Sequence, residues 1–266
     1  HTLGVLAISS CTKVIEVDLN NEENKRLVVD AQFSTYAQEH VVKLGESANF
    51  YSSDEPTLIS GATVSITDGT TIFPFTEASP GIYKSASNAT AQVGKEHTLI
   101  IDYAGQTYSA KDNCDFSPAV DTVILEPNYT DSTETEIEDY TILFSTQESP
   151  GFGDYYAWKI YVNGVLRNDS VPEQLSQSDE FLPDGTYLYE VELSYIDDVQ
   201  SGDTITIAQH AISKEIYDAV FAIRFQTDFR GGIFDSPPAN VPTNLSEGAL
   251  GLFSVSGETR NFAVVP

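Results

Sequence analysis

Along most of this chain, apolar and polar residues alternate with a period of two, and each short run stops at a turn-forming pair. Ala62, Val64 and Ile66 alternate with Thr63, Ser65 and Thr67, and Asp68-Gly69 then turns the chain into Thr71 to Phe75. Period two places successive side chains on opposite faces of a strand, so the pattern suits half-buried sheet and not an amphipathic helix. Arg26 to Phe33 is a further strand, and Pro80-Gly81 reverses the chain into Ile82-Tyr83-Lys84. His97 to Tyr103 and Gln106 to Ala110 form a hairpin across Ala104-Gly105. Short strands at this spacing predict an antiparallel, Ig-like β-sandwich over residues 25–112.

A second unit is expected over residues 119–266. The polar, turn-rich stretch Lys111 to Pro118 is expected to link the two units, and Pro127 to Glu138 to form an exposed loop. Val120 to Leu125 supplies the second unit's first strand. Tyr156, Trp158, Ile160 and Val162 share one strand face and run into Asn163-Gly164, a pair suited to a type I′ turn. Tyr187, Tyr189, Val191, Leu193 and Tyr195 are expected on one face of another strand, and Thr204 to Ile207 alternates again. One helix interrupts the strands near residues 213–228. Ser213 is its N-cap, Glu215 lies in its first turn, and Ile216, Val220 and Ile223 give a core-packing stripe. Leu250 to Val255 and Thr259 to Val265 are two closing strands. The expected class is therefore mostly β, two antiparallel Ig-like sandwich units with one short helix in the second.

Charge removes one class of partner. Thirteen Lys and Arg stand against 40 Asp and Glu, a formal net charge of −27. Such a field repels phosphate backbones and excludes nucleic-acid binding. No apolar run reaches the roughly 20 residues that a membrane helix requires.

The start of the chain carries a different signal. The apolar run Leu3 to Ile8 and the small pair Ser9-Ser10 precede Cys11. This is the layout of a lipoprotein signal peptide with its lipobox, in which the cysteine takes the lipid. Residues 1–10 are then leader and 11–24 a tether. The residues also allow an ordinary first strand, with Cys11 bonded to Cys114.

No catalytic motif emerges. There is no Gly-x-Ser-x-Gly elbow, His-Glu-x-x-His helix or phosphate-binding Gly-x-x-x-x-Gly-Lys. His1, His40, His97 and His210 lack metal-ligand spacing and are expected to be surface or strand histidines. Glu138-Asp139, Asp179-Glu180 and Asp197-Asp198 are acidic pairs of the kind forty carboxylates produce by chance, and adjacent strand residues face opposite ways. Calcium near Asp179, Asp184 and Asp197-Asp198 is a softer option without an Asp-x-Asp-x-Asp-Gly frame. The expectation is no catalytic residue, no cofactor and no metal. Asp121-Thr122-Val123, Asp131-Ser132-Thr133, Asp169-Ser170-Val171 and Asp203-Thr204-Ile205 resemble O-glycosylation acceptors of exported Bacteroidota proteins, and equally resemble ordinary strand starts.

The closing part carries a family resemblance. Phe234-Asp235-Ser236-Pro237-Pro238-Ala239-Asn240-Val241 is followed by Asn244-Leu245-Ser246-Glu247-Gly248-Ala249-Leu250-Gly251-Leu252-Phe253. With Ser10-Cys11-Thr12-Lys13 and Gly61 to Asp68, this resembles a Bacteroidota lipoprotein family of unassigned function, domain-of-unknown-function family 4249. Pro242-Thr243 and Leu252 depart from its pattern. The resemblance implies an outer-membrane protein anchored through lipid on Cys11, with Cys114 a buried thiol. It also implies a non-enzymatic accessory or substrate-binding partner of a TonB-dependent, SusC-like transporter, with an unknown ligand. It supplies no catalytic residue; Pro237, Pro238, Ala239, Asn240, Asn244, Gly248, Ala249, Leu250, Gly251 and Phe253 form a structural signature in which Leu250 and Phe253 pack inward. A secreted glycan hydrolase with a carboxylate cleft, or a structural or adhesive surface module, remains open on the residues themselves.

Overall fold

The alternating segments become strands in a computed structural model, which describes residues 25–47, 57–130, 133, 136–168, 175–178, 185–227 and 241–266. In chain order they are β1 (Leu27–Ser34), β2 (Val41–Glu46), β3 (Thr63–Thr67), β4 (Ile72–Ser79), β5 (Ile82–Lys84), β6 (Glu96–Tyr103) and β7 (Gln106–Asn113). There follow β8 (Val120–Tyr129), β9 (Ile137–Gln147), β10 (Tyr155–Val162), β11 (Val165–Leu166), β12 (Leu175–Ser178), β13 (Tyr187–Ile196), β14 (Thr204–Ile212), the helix α1 (Lys214–Thr227) and β15 (Ala249–Val264). The protein is mostly β, as the alternation requires, with strands in two sheets. The larger runs β11-β10-β14-β15-β1-β2-β5-β4-β3-β6-β7 with β12 beside β10, and the smaller is β13-β9-β8.

Strand β15 departs from the sequence expectation. Its pairing with β1 is parallel, in register from Leu27–Ala249 to Ser34–Ser256. Residues 257–264 then pair antiparallel with β14, from Ala211–Gly257 to Thr204–Val264. Two closing strands are therefore one, because the chain changes partner at Ser256-Gly257 without changing direction. The first half of the strand packs into the first of two cores, and Leu252 on its other face packs against the cluster of Ile212 and Ile216. Ala249, Phe253 and Val255 join Val29, Phe33, Leu44, Tyr83 and Leu99 in the first. The second packs Trp158, Ile205 and Ile207 against Ile142 and Phe144 of the small sheet. Leu250 is half-buried on the opposite face from Phe253, because residues three apart on a strand cannot share a face.

The expected linker is fixed in place. Asp115 O accepts Gly257 N at 2.9 Å, and Pro118 O accepts Thr259 Oγ1 at 2.6 Å and Gln209 Nε2 at 3.0 Å. Cys114 is buried beside this crossover, and burial pushes its thiol up to about 12, which makes it an unreactive core residue. The expected loop over Pro127–Glu138 is shorter than its composition suggests, because β8 continues to Tyr129 and β9 starts at Ile137.

Local signals place the remaining elements. Asn163 and Gly164 adopt φ of 49° and 81°, the left-handed pair of a type I′ turn. Ser213 Oγ accepts Ile216 N at 3.4 Å, and Ile216 and Val220 pack with Tyr155 and Ile212 in a third apolar cluster. Strand β13 breaks its predicted single face. Register shifts at Leu188/Val191 and Glu192/Ser194 leave Tyr187, Tyr189 and Tyr195 exposed while Val191 and Leu193 face the second core.

Asp112 gives a pH test of this frame. Its Oδ2 accepts Val255 N at 2.7 Å, and burial raises its carboxyl to about 6. Above about pH 4 the unfolded chain releases this proton, while the folded protein keeps it to about pH 6, so stability falls as pH rises across that window. Asp112→Asn retains an acceptor for Val255 and removes the buried charge. In urea unfolding it is expected to match wild type near pH 3.5 and to exceed it by about 2–3 kcal/mol at pH 8. An equal difference at both pH values would contradict this.

Candidate functional site

The edge between the two cores is where chemistry collects. Strands β10, β14, β15 and β1 lie side by side, and the face turned away from the two sandwich cores carries Ala157 and Lys159, His210 and Ile212, Ser254, Ser256 and Glu258, and Gln32 and Ser34. The register sets Ala157 against His210 and His210 against Glu258 in one row. With Ile216 and Val220 of α1, these residues line a cavity of about 80 Å³. Ala157 leaves space in that row which a larger side chain would fill.

The cavity has a polar end and an apolar end. At the polar end Glu258 has no solvent-exposed side-chain surface; it accepts Ser34 Oγ at 2.5 Å and Arg260 Nε at 2.5 Å. Burial opposes its charge, but the Arg260 guanidinium and the Ser34 hydroxyl outweigh that and hold the carboxyl below its ordinary range. The Arg260 guanidinium lies 3.9 Å from the Tyr36 ring centre and 4.9 Å from that of Tyr161, and its Nη2 donates to Gln38 Oε1 at 3.1 Å. The Arg is thus fixed by two rings and two acceptors.

His210 is 8% exposed and sits between these groups. Its Nδ1 lies 2.9 Å from Ser256 Oγ and 3.9 Å from Glu258 Oε2. Its Nε2 is buried with no hydrogen-bond partner. Burial first, then Lys159, pushes the imidazole down to about 3, so it is neutral at physiological pH. Lys159 donates to Gln32 Oε1, and burial lowers its ammonium from the ordinary value against the pull of Glu258 and Asp30. His40, also on the lining, is lowered by burial and contacts Ala89 O at 3.1 Å through Nε2. The apolar end is formed by Ile212, Ile216, Val220 and Leu252.

The residues singled out in the sequence lie elsewhere. Cys11, Pro237, Pro238, Ala239 and Asn240 fall outside the described residues, as do Asp179, Glu180 and Asp184. Asp197 and Asp198 are exposed, and Glu138 and Asp139 lie on β9 of the small sheet; none lines the cavity. The described part of the closing signature builds structure. Asn244 brackets Phe253, with Nδ2 donating to Phe253 O at 2.7 Å and Oδ1 accepting Phe253 N at 3.0 Å. Gly248 turns the chain into buried Ala249, and Gly251 lies against the Val29 backbone. Among the described residues, no group of three His, Cys, Asp or Glu is placed to hold a metal, and no helix is long and apolar enough to cross a membrane.

The cavity residues were missed because their partners are remote, Ser34 and Glu258 being 224 positions apart. A usable signal was present: Glu258 and Arg260 are the two charged residues in the otherwise neutral closing segment from Ala249 to Pro266.

Comparison with known proteins adds a family and little else. A family model described as a domain of unknown function (DUF4249) matches residues 12–261. No curated protein matches. Among solved structures, a chain of a cytokine receptor complex (crystal form 1A) is similar at 11% identity and a TM-score of 0.25, covering 72% of this chain and 86% of that one. That likeness is too slight to carry an argument.

Proposed function

This chain belongs to the DUF4249 family of domains of unknown function, and from that premise we propose that it is a non-catalytic binding protein that holds a small ligand, or one end of a larger one, in the cavity beneath α1. One observation carries the reading: Ser256 and Glu258 both lie on the Nδ1 side of His210, and Nε2 has no protein partner. A nucleophile and an orienting acid must sit on different ring nitrogens for imidazole to relay a proton between them. With both on one nitrogen, the cluster positions groups and leaves a hydrogen-bonding atom for a ligand.

We further propose that the protein works at the outer membrane, held by lipid on Cys11, as partner of a TonB-dependent transporter. Support for this is the apolar run and small residues before Cys11, together with the family resemblance. The test is recovery from detergent-solubilised outer membranes. The expected result is co-purification with a β-barrel transporter and a mature N-terminus beginning at an acylated Cys11. Repeated recovery as a free protein, or a mature chain that retains Val5-Leu6-Ala7, would overturn it.

A further inference from the structure

The cavity's charges point to the chemistry of what fills it. In a chain of net charge −27, carboxylate partners for lysine are abundant. Six of the described lysines use one: Lys25, Lys43, Lys84, Lys95, Lys111 and Lys214 each lie within 4.0 Å of an Asp or Glu oxygen. Among the described residues Lys159 is the exception. It lines the cavity, and its hydrogen bond goes to the neutral amide of Gln32. The two carboxylates that act on it through space already have partners, Glu258 in Arg260 and Ser34, and Asp30 in Lys43. A partly buried ammonium whose one hydrogen bond goes to an amide has no carboxylate in contact with it, and an anion entering the cavity would supply that contact.

A second observation is independent of charge. His210 Nε2 is buried without a partner in a side chain nine-tenths removed from solvent. Buried polar atoms are nearly always satisfied, so such an atom at a cavity wall marks where a ligand's polar group belongs. Beyond the polar end, Ile212, Ile216, Val220 and Leu252 offer only apolar contact. The volume sets the size. At about 80 Å³ the cavity is roughly half the 150 Å³ that accommodates benzene in an engineered protein core.

We propose that the cavity binds a short monocarboxylate, or the carboxylate end of a longer chain, with the alkyl part against α1 and Leu252 and the anion accepting from Lys159 and from His210 Nε2, which carries the ring proton when Ser256 Oγ donates to Nδ1. The inference rests on the binding reading above and adds the ligand's class. A polyol would leave Lys159 without an anion in contact. A phosphate or sulfate would bring a second negative charge close to Glu258 and would leave the apolar end unfilled. When the carboxylate enters, it favours the charged form of Lys159, which burial alone disfavours.

The test is calorimetric titration of the purified protein with propionate and with its neutral isostere propionamide, on wild type and on Lys159→Met. Propionate is expected to bind at least about tenfold more tightly than propionamide, and Lys159→Met to lose at least about tenfold of propionate affinity while its melting temperature holds. Propionamide binding as tightly as propionate, or an unchanged affinity in Lys159→Met, would overturn the carboxylate inference and leave the binding reading standing. If neither compound binds, both fall. The paired ligands on wild type decide the matter even if the variant folds poorly.

Discussion

Gly251→Ala is expected to lower folding stability by more than about 3 kcal/mol, because an added Cβ meets its neighbours more closely here than at any other described glycine. Gly251 pairs with Val29 in the parallel β1–β15 ladder and has φ of 104°. A Cβ there would stand 1.9 Å from Val29 O and 2.9 Å from Val29 N, backbone atoms that cannot move without moving β1. The left-handed φ alone costs a non-glycine residue about 1–3 kcal/mol. Relief of the clash requires β15 to slide or separate from β1, exposing Phe253, Val255 and Phe33, which now lie in the first core. Typical domains hold about 5–15 kcal/mol in total, so the variant should unfold at markedly lower urea concentration or fail to accumulate. A loss below about 1 kcal/mol would mean that the β1–β15 contact is not the close pairing described.

Glu258→Ala is expected to cost about 3–5 kcal/mol, the range for removing one member of a buried ion pair. The deletion leaves Ser34 Oγ without its acceptor and Arg260 with only Gln38 and the Tyr36 and Tyr161 rings. It also places Lys159 and Arg260 together without the carboxylate that offsets them. Glu258→Gln keeps an acceptor for Ser34 and should lose about half as much. The wild-type contribution has a defined pH course. Because the folded carboxyl lies below its ordinary range, the stabilisation is present above the ordinary glutamate range and is lost as pH falls through the folded pKa. Urea unfolding of the three proteins at pH 7 checks the order. Equal stability of Glu258→Ala and wild type would mean that the cluster contributes nothing to the fold.

How much of this was legible in the sequence depends on the range of the physics involved. Local rules worked. Period-two runs became strands, Asn163-Gly164 became a left-handed turn, and Ser213 capped the one described helix. Alternation gives a strand's two faces but never its neighbour, so the joining of residues 249–256 to β1 and 257–264 to β14 was hidden. Bulges were hidden too: two register shifts in β13 undo a tyrosine pattern that looks unbroken on paper. The cavity was the least legible part, because Lys159, His210 and Glu258 meet only when β10, β14 and β15 lie side by side. The one local trace is that Glu258 and Arg260 stand alone as charges in the closing segment from Ala249 to Pro266, and that does not reveal which remote residues they meet. The closing signature was legible as structure, and Asn244, Gly248 and Gly251 hold β15 in place without contributing a polar group to the cavity.

Nitrogen-15 chemical shifts of the histidine rings test the central claim most directly, because they report on the atom that the cavity leaves open. With propionate added to saturation, the Nε2 resonance of His210 is expected to move while those of His97, which is buried in the first core and lies off the cavity lining, stay fixed. A His210 Nε2 resonance that does not respond to propionate would contradict the account of this cavity as the ligand site.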